Sequence, residues 1–189
     1  MRLLYNSTFY KITCVLRFLL ARVVYRGKFR CPQLSMIGRN CGIHIFKHGL
    51  IHCRGRIIVN DQVMLYAKGQ LLIGAQFYIN RYSRIVAHEK IEIGQNVTIG
   101  QMVSILDHDH RYTFVEEDLK LEGYTTAPIR IGDNVWLGDK CTVLKGVTIG
   151  NNVVVGANTL VHKDVPDNCV IGGVPFKILK RLSPHSTDQ

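Results

Sequence analysis

The stretch "IRIGDNVWLGDKCTVLKGVTIGNNVVVGANTLVHKDV" (residues 129–165) decides the fold. Counted in sixes from Ile131, it places Ile131, Leu137, Val143, Ile149, Val155 and Val161 at one position, all branched aliphatics. Two residues before each stand Ile129, Val135, Cys141, Val147, Val153 and Thr159, all β-branched or small. Glycine follows the key aliphatic at Gly132, Gly138, Gly150 and Gly156. A helix repeats its buried positions every three or four residues and a strand every two, so a strict period of six fits neither. It fits a triangular solenoid in which each hexapeptide supplies one short strand and one turn. The aliphatic points into the prism and stacks on its copies above and below. Asp133-Asn134 and Asn151-Asn152 read as corners, because these residues tolerate the left-handed backbone of a tight turn.

The period extends upstream. Ile73, Ile79 and Ile85 share one register, and Ile93, Ile99 and Ile105 another, with a small insertion near "AHEK" between them. Ile37 and Ile43 match, followed by Ile51, Ile57 and Val63 in a shifted frame, so residues 35–70 read as irregular early coils. Between Ile105 and Ile131 the chain runs far longer than one hexapeptide, and this excess, residues 106–130, reads as a polar loop extruded from the prism. Solenoid insertions gather on one face and form binding surfaces. At the root of the loop lies "SILDHDHRYTF", with His108 and His110 one alternation apart on the same side of an extended strand.

Composition sets outer limits. A hydrophobic content of 47% over 189 residues supports a substantial core and argues against wholesale disorder. The net charge of +10 points to an acidic partner: a nucleic acid, an anionic membrane surface or a phosphorylated small molecule. Basic and aromatic residues are not interleaved as a nucleic-acid binder would have them, so nucleic acid is excluded. Six cysteines at irregular spacing form no zinc-like or redox pair and read as reduced thiols in a cytoplasmic protein. Residues 1–34 form a separate, basic, helical segment. Its apolar runs are too short to span a bilayer, and residues 8–30 suit either a peripheral contact with an anionic membrane or packing within the protein.

The stretch from "IRIGDNVWLG" through "GVTIG" to the closing "GGVPFKILK" closely resembles the hexapeptide-repeat acyltransferases, in particular the galactoside, maltose and polysaccharide O-acetyltransferases. The resemblance covers roughly residues 70–182. It implies a left-handed parallel β-helix over residues 35–182, a homotrimer, acetyl-CoA as co-substrate with no metal, and a C-terminal tail at 183–189. It also implies direct acetyl transfer to a sugar or polysaccharide hydroxyl, with a histidine as general base. Aligned without gaps from Ile93-Gly94-Gln95-Asn96, the family's catalytic histidine falls on His110, and the asparagine of its "FYxN" motif on Asn80 in "FYIN". His108 and Trp136 fall beside the acceptor. Gly138 and Asp139 fall on the pantetheine channel, Ala157 on a backbone contact to CoA, and Lys163, Lys177 and Lys180 where basic residues meet CoA. Asp107 or Asp109 would orient an imidazole by accepting its N–H. Two rival enzyme readings are an amino-sugar or sugar-nucleotide N-acetyltransferase and a serine acetyltransferase. The non-enzymatic rival is a β-helix binding scaffold. The envelope-glycan reading places the protein in the cytoplasm, at the inner face of the membrane.

Overall fold

The computed structural model describes residues 8–183. Three parallel sheets wind into a left-handed prism, here called faces A, B and C in chain order. Face A stacks Phe29–Arg30, Leu50–Cys53, Gln70–Ile73, Lys90–Ile93, Ile129–Ile131 and Thr148–Ile149, and an Ile149–Val165 bridge extends it. Face B runs from Met36–Ile37 to Cys169–Gly172, where the antiparallel strand Lys177–Arg181 closes its edge. Face C runs from Gly42–Ile45 to Leu160–Val161.

The six-residue count is borne out in the stacking. Ile73, Ile93, Ile131 and Ile149 lie directly over one another on face A. Ile79, Ile99, Leu137 and Val155 do so on face B, all fully buried or nearly so. Strands buried on their inner side by identical neighbours need no helix to cover them, which is how a chain of this length forms one continuous core.

The corners confirm the turn chemistry and widen it. Asn96, Asn134, Asn152 and Asn168 all hold φ between 54 and 57°, and their side chains hydrogen-bond up the A/B edge as a ladder. The B/C edge uses the same left-handed turn, with asparagine at its two ends (Asn40 and Asn158) but Gln62, Tyr82, Met102 and Lys140 between them, residues that no turn propensity would select. Tertiary stacking holds them there against local preference.

Two sequence expectations are corrected. The first coil begins at Phe29–Arg30, which pairs with Ile51–His52, and not at residue 35. Nor are residues 35–70 irregular: Met64–Ala67 pairs residue for residue with Gly42–Ile45 and with Arg84–Ala87. The frame shifts because these early coils carry extra residues at the C/A corner, around Gly49, Gly69 and His88-Glu89. A strict six-count cannot absorb them. Helix α1 (Thr8–Val24) lies across the first coil and ends in a turn at Gly27, whose φ of +82° a side chain would resist. The cysteines are free thiols, five of them buried.

Candidate functional site

The extruded segment is an antiparallel β-hairpin, His108–Val115 against Asp118–Thr126, leaving the prism at the C/A edge. Asp107 is its anchor. It follows the face C strand Ser104–Leu106, which pairs with Arg84–Val86, and so falls in the inward column occupied one coil earlier by Ala87. The acid is fully buried. Its Oδ1 accepts the His88 N–H at 2.7 Å, and its Oδ2 accepts the N–H groups of Glu89 and Lys90, each at 2.8 Å. Three donors compensate the buried charge. The Asp107 carbonyl accepts the Ala127 N–H, so the same residue ties the hairpin's return to its exit.

Above this anchor the rings cluster. His108 stacks on His88 with centroids 3.7 Å apart and planes 9° from parallel. Tyr124 stands edge-on to both and also meets His110 at 4.7 Å. The two histidines of the motif therefore share one side of the strand, as their alternation requires. The structure separates them by environment. The His108 side chain is only 13% exposed, and its Nδ1 is buried without a hydrogen bond: Asp107 Oδ1 lies 3.4 Å away, within ion-pair reach but not in bonding geometry. His110 is exposed. Its cleft is lined by Asp109, Arg111, Tyr112, Thr125 and Lys145. Asp109 pairs with Lys145 at 3.1 Å, and Lys145 also bonds Thr125 Oγ1. Of the two acids, Asp107 lies beside an imidazole, that of His108, while Asp109 faces a lysine.

Burial first, then the nearby His108 and Lys68, lowers the His88 pKa to about 4, with Asp107 opposing and His110 adding a little. This ring is neutral at physiological pH. Sequence reasoning missed His88, Lys68, Tyr124 and Lys145. Lys68, His88 and His108 do recur every twenty residues, the length of one coil in this region, and that spacing was the available signal. Lys145 had none, because the hairpin breaks the count.

The remaining expected residues lie elsewhere. Asn80, Gly138, Asp139 and Ala157 occupy the B/C edge, with Gly138 and Asp139 two coils above Asn80, and Ala157 on the next coil. Asn80 Oδ1 accepts the Arg81 N–H at 2.9 Å and a bond from Asn60. Gly138 donates its N–H to the Val155 carbonyl, and a Cβ on it would fall 2.7 Å from the Ala157 nitrogen, so only glycine permits this approach. Asp139 Oδ1 accepts the Gln101 N–H at 2.7 Å and stays exposed. Trp136, 54% exposed, lies on the outer surface of face B between Thr98 and Val154. Lys163 returns to the C/A edge with its Nζ 5.2 Å from the Phe176 ring centre. Lys177 and Lys180 are exposed on the closing strand.

Within one protomer the two groups do not meet. Face C lies between them, and its four-residue strand Arg84–Ala87 alone spans about 13 Å. Among the described residues no three His, Cys, Asp or Glu side chains gather as a metal site.

A prism of stacked hexapeptides with a histidine-bearing hairpin on one edge defines a class. The chain belongs to the hexapeptide-repeat acyltransferases, and the model "Bacterial transferase hexapeptide (six repeats)" matches residues 128–163. It is 36% identical over 130 residues to the Escherichia coli protein named "Putative lipopolysaccharide biosynthesis O-acetyl transferase WbbJ", covering 65% of each chain. It is 31% identical over 151 residues to "Putative acetyltransferase YJL218W" of Saccharomyces cerevisiae, covering 79% of this chain and 76% of that one. Among solved structures it resembles AntD, an N-acyltransferase from Bacillus cereus in complex with dTDP and 3-hydroxybutyryl-CoA. There the TM-score is 0.67 at 20% identity, over 88% of both chains, a likeness of fold.

Proposed function

We propose that this protein is an acetyl-CoA-dependent O-acetyltransferase, that its acceptor is a hydroxyl of a sugar or polysaccharide precursor, and that His110 is the general base. The observation that carries this reading is the split of the site. An exposed imidazole sits on the C/A edge, and a close backbone approach of Gly138 to Ala157, which leaves no room for a side chain, sits on the B/C edge, with Asn80 two coils below Gly138. A homotrimer of parallel prisms, with the C/A edge of one protomer facing the B/C edge of the next, brings the two halves together. Acetyl-CoA then lies between prisms, with its acyl arm along Gly138, Asp139 and Ala157. Its charged end lies toward Lys163, Lys177 and Lys180. Trp136 and His108 complete the wall around the acceptor.

The chemistry balances with one side chain. The acceptor O–H gives its proton to His110 while its oxygen attacks the acetyl carbonyl. The thioester C–S bond breaks, and the proton passes from the imidazolium to the departing CoA sulfur. A neutral imidazole does this at working pH, and of the two motif histidines only His110 is open to an acceptor. His108, packed between His88 and Tyr124, holds the hairpin wall. The WbbJ likeness supports a hydroxyl acceptor in surface glycan assembly, and with that role goes a cytoplasmic protein peripheral to the inner face of the membrane. The AntD likeness keeps an amine acceptor as the second reading.

Subunit complementation is the test. His110→Ala and Asn80→Ala should each lower acetyl transfer by at least about 10²-fold. Trimers reassembled from an equal mixture should recover about a quarter of wild-type activity, the chance that a random interface joins two intact halves. No recovery would rule out a site shared between protomers. A near wild-type rate for His110→Ala would remove His110 as the base. Acetyl-CoA consumption with paired hydroxyl and amino sugars separates the two acceptor classes.

A further inference from the structure

Helix α1 is oriented in a way that acetyl transfer does not explain. It lies on the open edge of the first coil. Tyr10 donates its hydroxyl to Asp61 at 2.7 Å, Phe18 packs edge-on against Phe29 at 6.0 Å, and Tyr25 donates its hydroxyl to the Ile43 carbonyl. These residues, with Cys14 and Ala21, make one stripe that seals the core. The opposite stripe should be polar in a helix that meets only water. Instead Phe9, Ile12, Leu16, Leu20 and Val23 face outward at spacings of three or four, with Phe9 76% and Val23 73% exposed. An apolar stripe of this length on a surface marks a contact.

The charge of the chain identifies the partner. Residues 1–60 hold eleven Lys and Arg and no Asp or Glu, while residues 61–189 hold thirteen basic and fourteen acidic residues. Eleven less one gives the whole net charge of +10, so the positive charge belongs to the capped end. Around the helix, Lys11 and Arg22 flank the apolar stripe on one side and Arg17 on the other. At the helix C-terminus Arg22, Arg26, Arg30 and His52 converge on one open cleft. An apolar stripe bordered by arginines, with a basic cleft at its end, matches an anionic bilayer surface: acyl chains meet the stripe and headgroup phosphates meet the guanidinium groups. A second copy meeting cap to cap would instead bring two strongly positive ends together, which repel.

We infer that α1 is a bilayer-docking surface selective for anionic lipid, lying in the membrane interface with the prism axis pointing away from the bilayer. This extends the peripheral placement of the protein and does not depend on the acetyl-transfer chemistry. In a trimer of parallel prisms the three caps share one end, so three docking helices engage one surface and avidity multiplies a modest single contact.

Co-sedimentation of the full chain with vesicles tests this. The protein should pellet with vesicles of equal parts phosphatidylglycerol and phosphatidylcholine, stay in solution with phosphatidylcholine alone, and be released by high salt. Leu16→Glu/Leu20→Glu and Arg22→Glu/Arg26→Glu should each weaken the vesicle partition by at least about tenfold. These positions lie outside the core, so the circular dichroism spectrum of each variant should match wild type. Vesicle binding reads no acetyl transfer, so a failed catalytic proposal leaves this outcome intact. Absence of binding to both vesicle types would overturn the inference, as would binding by the Leu16→Glu/Leu20→Glu variant at wild-type strength. A particle of twice the trimer mass that the leucine variant halves, without vesicle binding, would assign the stripe to a second copy instead.

Discussion

Asp107→Asn tests whether one buried carboxylate holds the hairpin on the prism. In the wild type, Oδ1 and Oδ2 together accept three backbone N–H bonds at 2.7–2.8 Å. Asparagine offers a single oxygen. Its best rotamer keeps Glu89 and Lys90 bonded and turns its own NH₂ group toward the His88 N–H. One buried donor then loses its acceptor, at about 1–3 kcal/mol, and the two remaining bonds lose their charge assistance, at about 1 kcal/mol each. Against this, the variant no longer buries a carboxylate, which returns part of the loss. The net destabilisation should be about 2–4 kcal/mol, or about 4–16 °C in melting temperature for a chain of this size. Thermal unfolding by circular dichroism measures the total. Hydrogen exchange locates it: the amides of residues 88–90 should lose about tenfold in protection for each 1.4 kcal/mol, while those of the far coils keep theirs. Because Ala127 returns to the Asp107 carbonyl, kcat should fall as His110 loses its fixed root. A melting temperature within about 2 °C of wild type, with residues 88–90 fully protected, would refute this role for Asp107.

Two further outcomes follow from the same region and its opposite edge. His88 has an ordinary pKa near 6.5 when unfolded and about 4 when folded, so the unfolded chain takes up a proton first as pH falls. Stability should therefore decline from about pH 6.5 to about 4 and level off below that, and His88→Gln should flatten the decline in a series of melts across that range. On the B/C edge, Gly138→Ala would force a methyl to within 2.7 Å of the Ala157 nitrogen. It should cost about 1–3 kcal/mol in urea unfolding. It should also raise KM for acetyl-CoA more than it lowers kcat, and an unchanged KM would remove Gly138 from the channel.

The repeat was legible because it is written in side chains that see only their own copies. Ile131, Leu137 and Val143 are buried by residues one coil away, so a count of six locates the prism without any knowledge of its partners. The left-handed corners at Asn134 and Asn152 were legible for the same local reason. Early coils blurred because their extra residues sit at one corner only, where a strict count loses phase although the stacking does not. Tyr82 and Met102 adopt the same left-handed turn only because the coils above and below demand it.

For the site, sequence alone determined that the chain leaves its solenoid after Ile105, over residues 106–130, and that His108 and His110 share one side of a strand. Alternation fixes side, not environment, so it left the two rings equivalent, and only the register of the family resemblance singled out His110. The tertiary structure supplies the physical difference: stacking on His88 buries His108, and the hairpin carries His110 into the open. It also gave the two acids different surroundings: Asp107 drops into a core column and meets three backbone donors one coil below, a contact made across the winding of the chain, while Asp109 pairs with Lys145. The separation of Asn80 from His110 is likewise a consequence of the winding. Residues thirty apart lie on different coils and different edges, and the distance between edges is set by the width of face C.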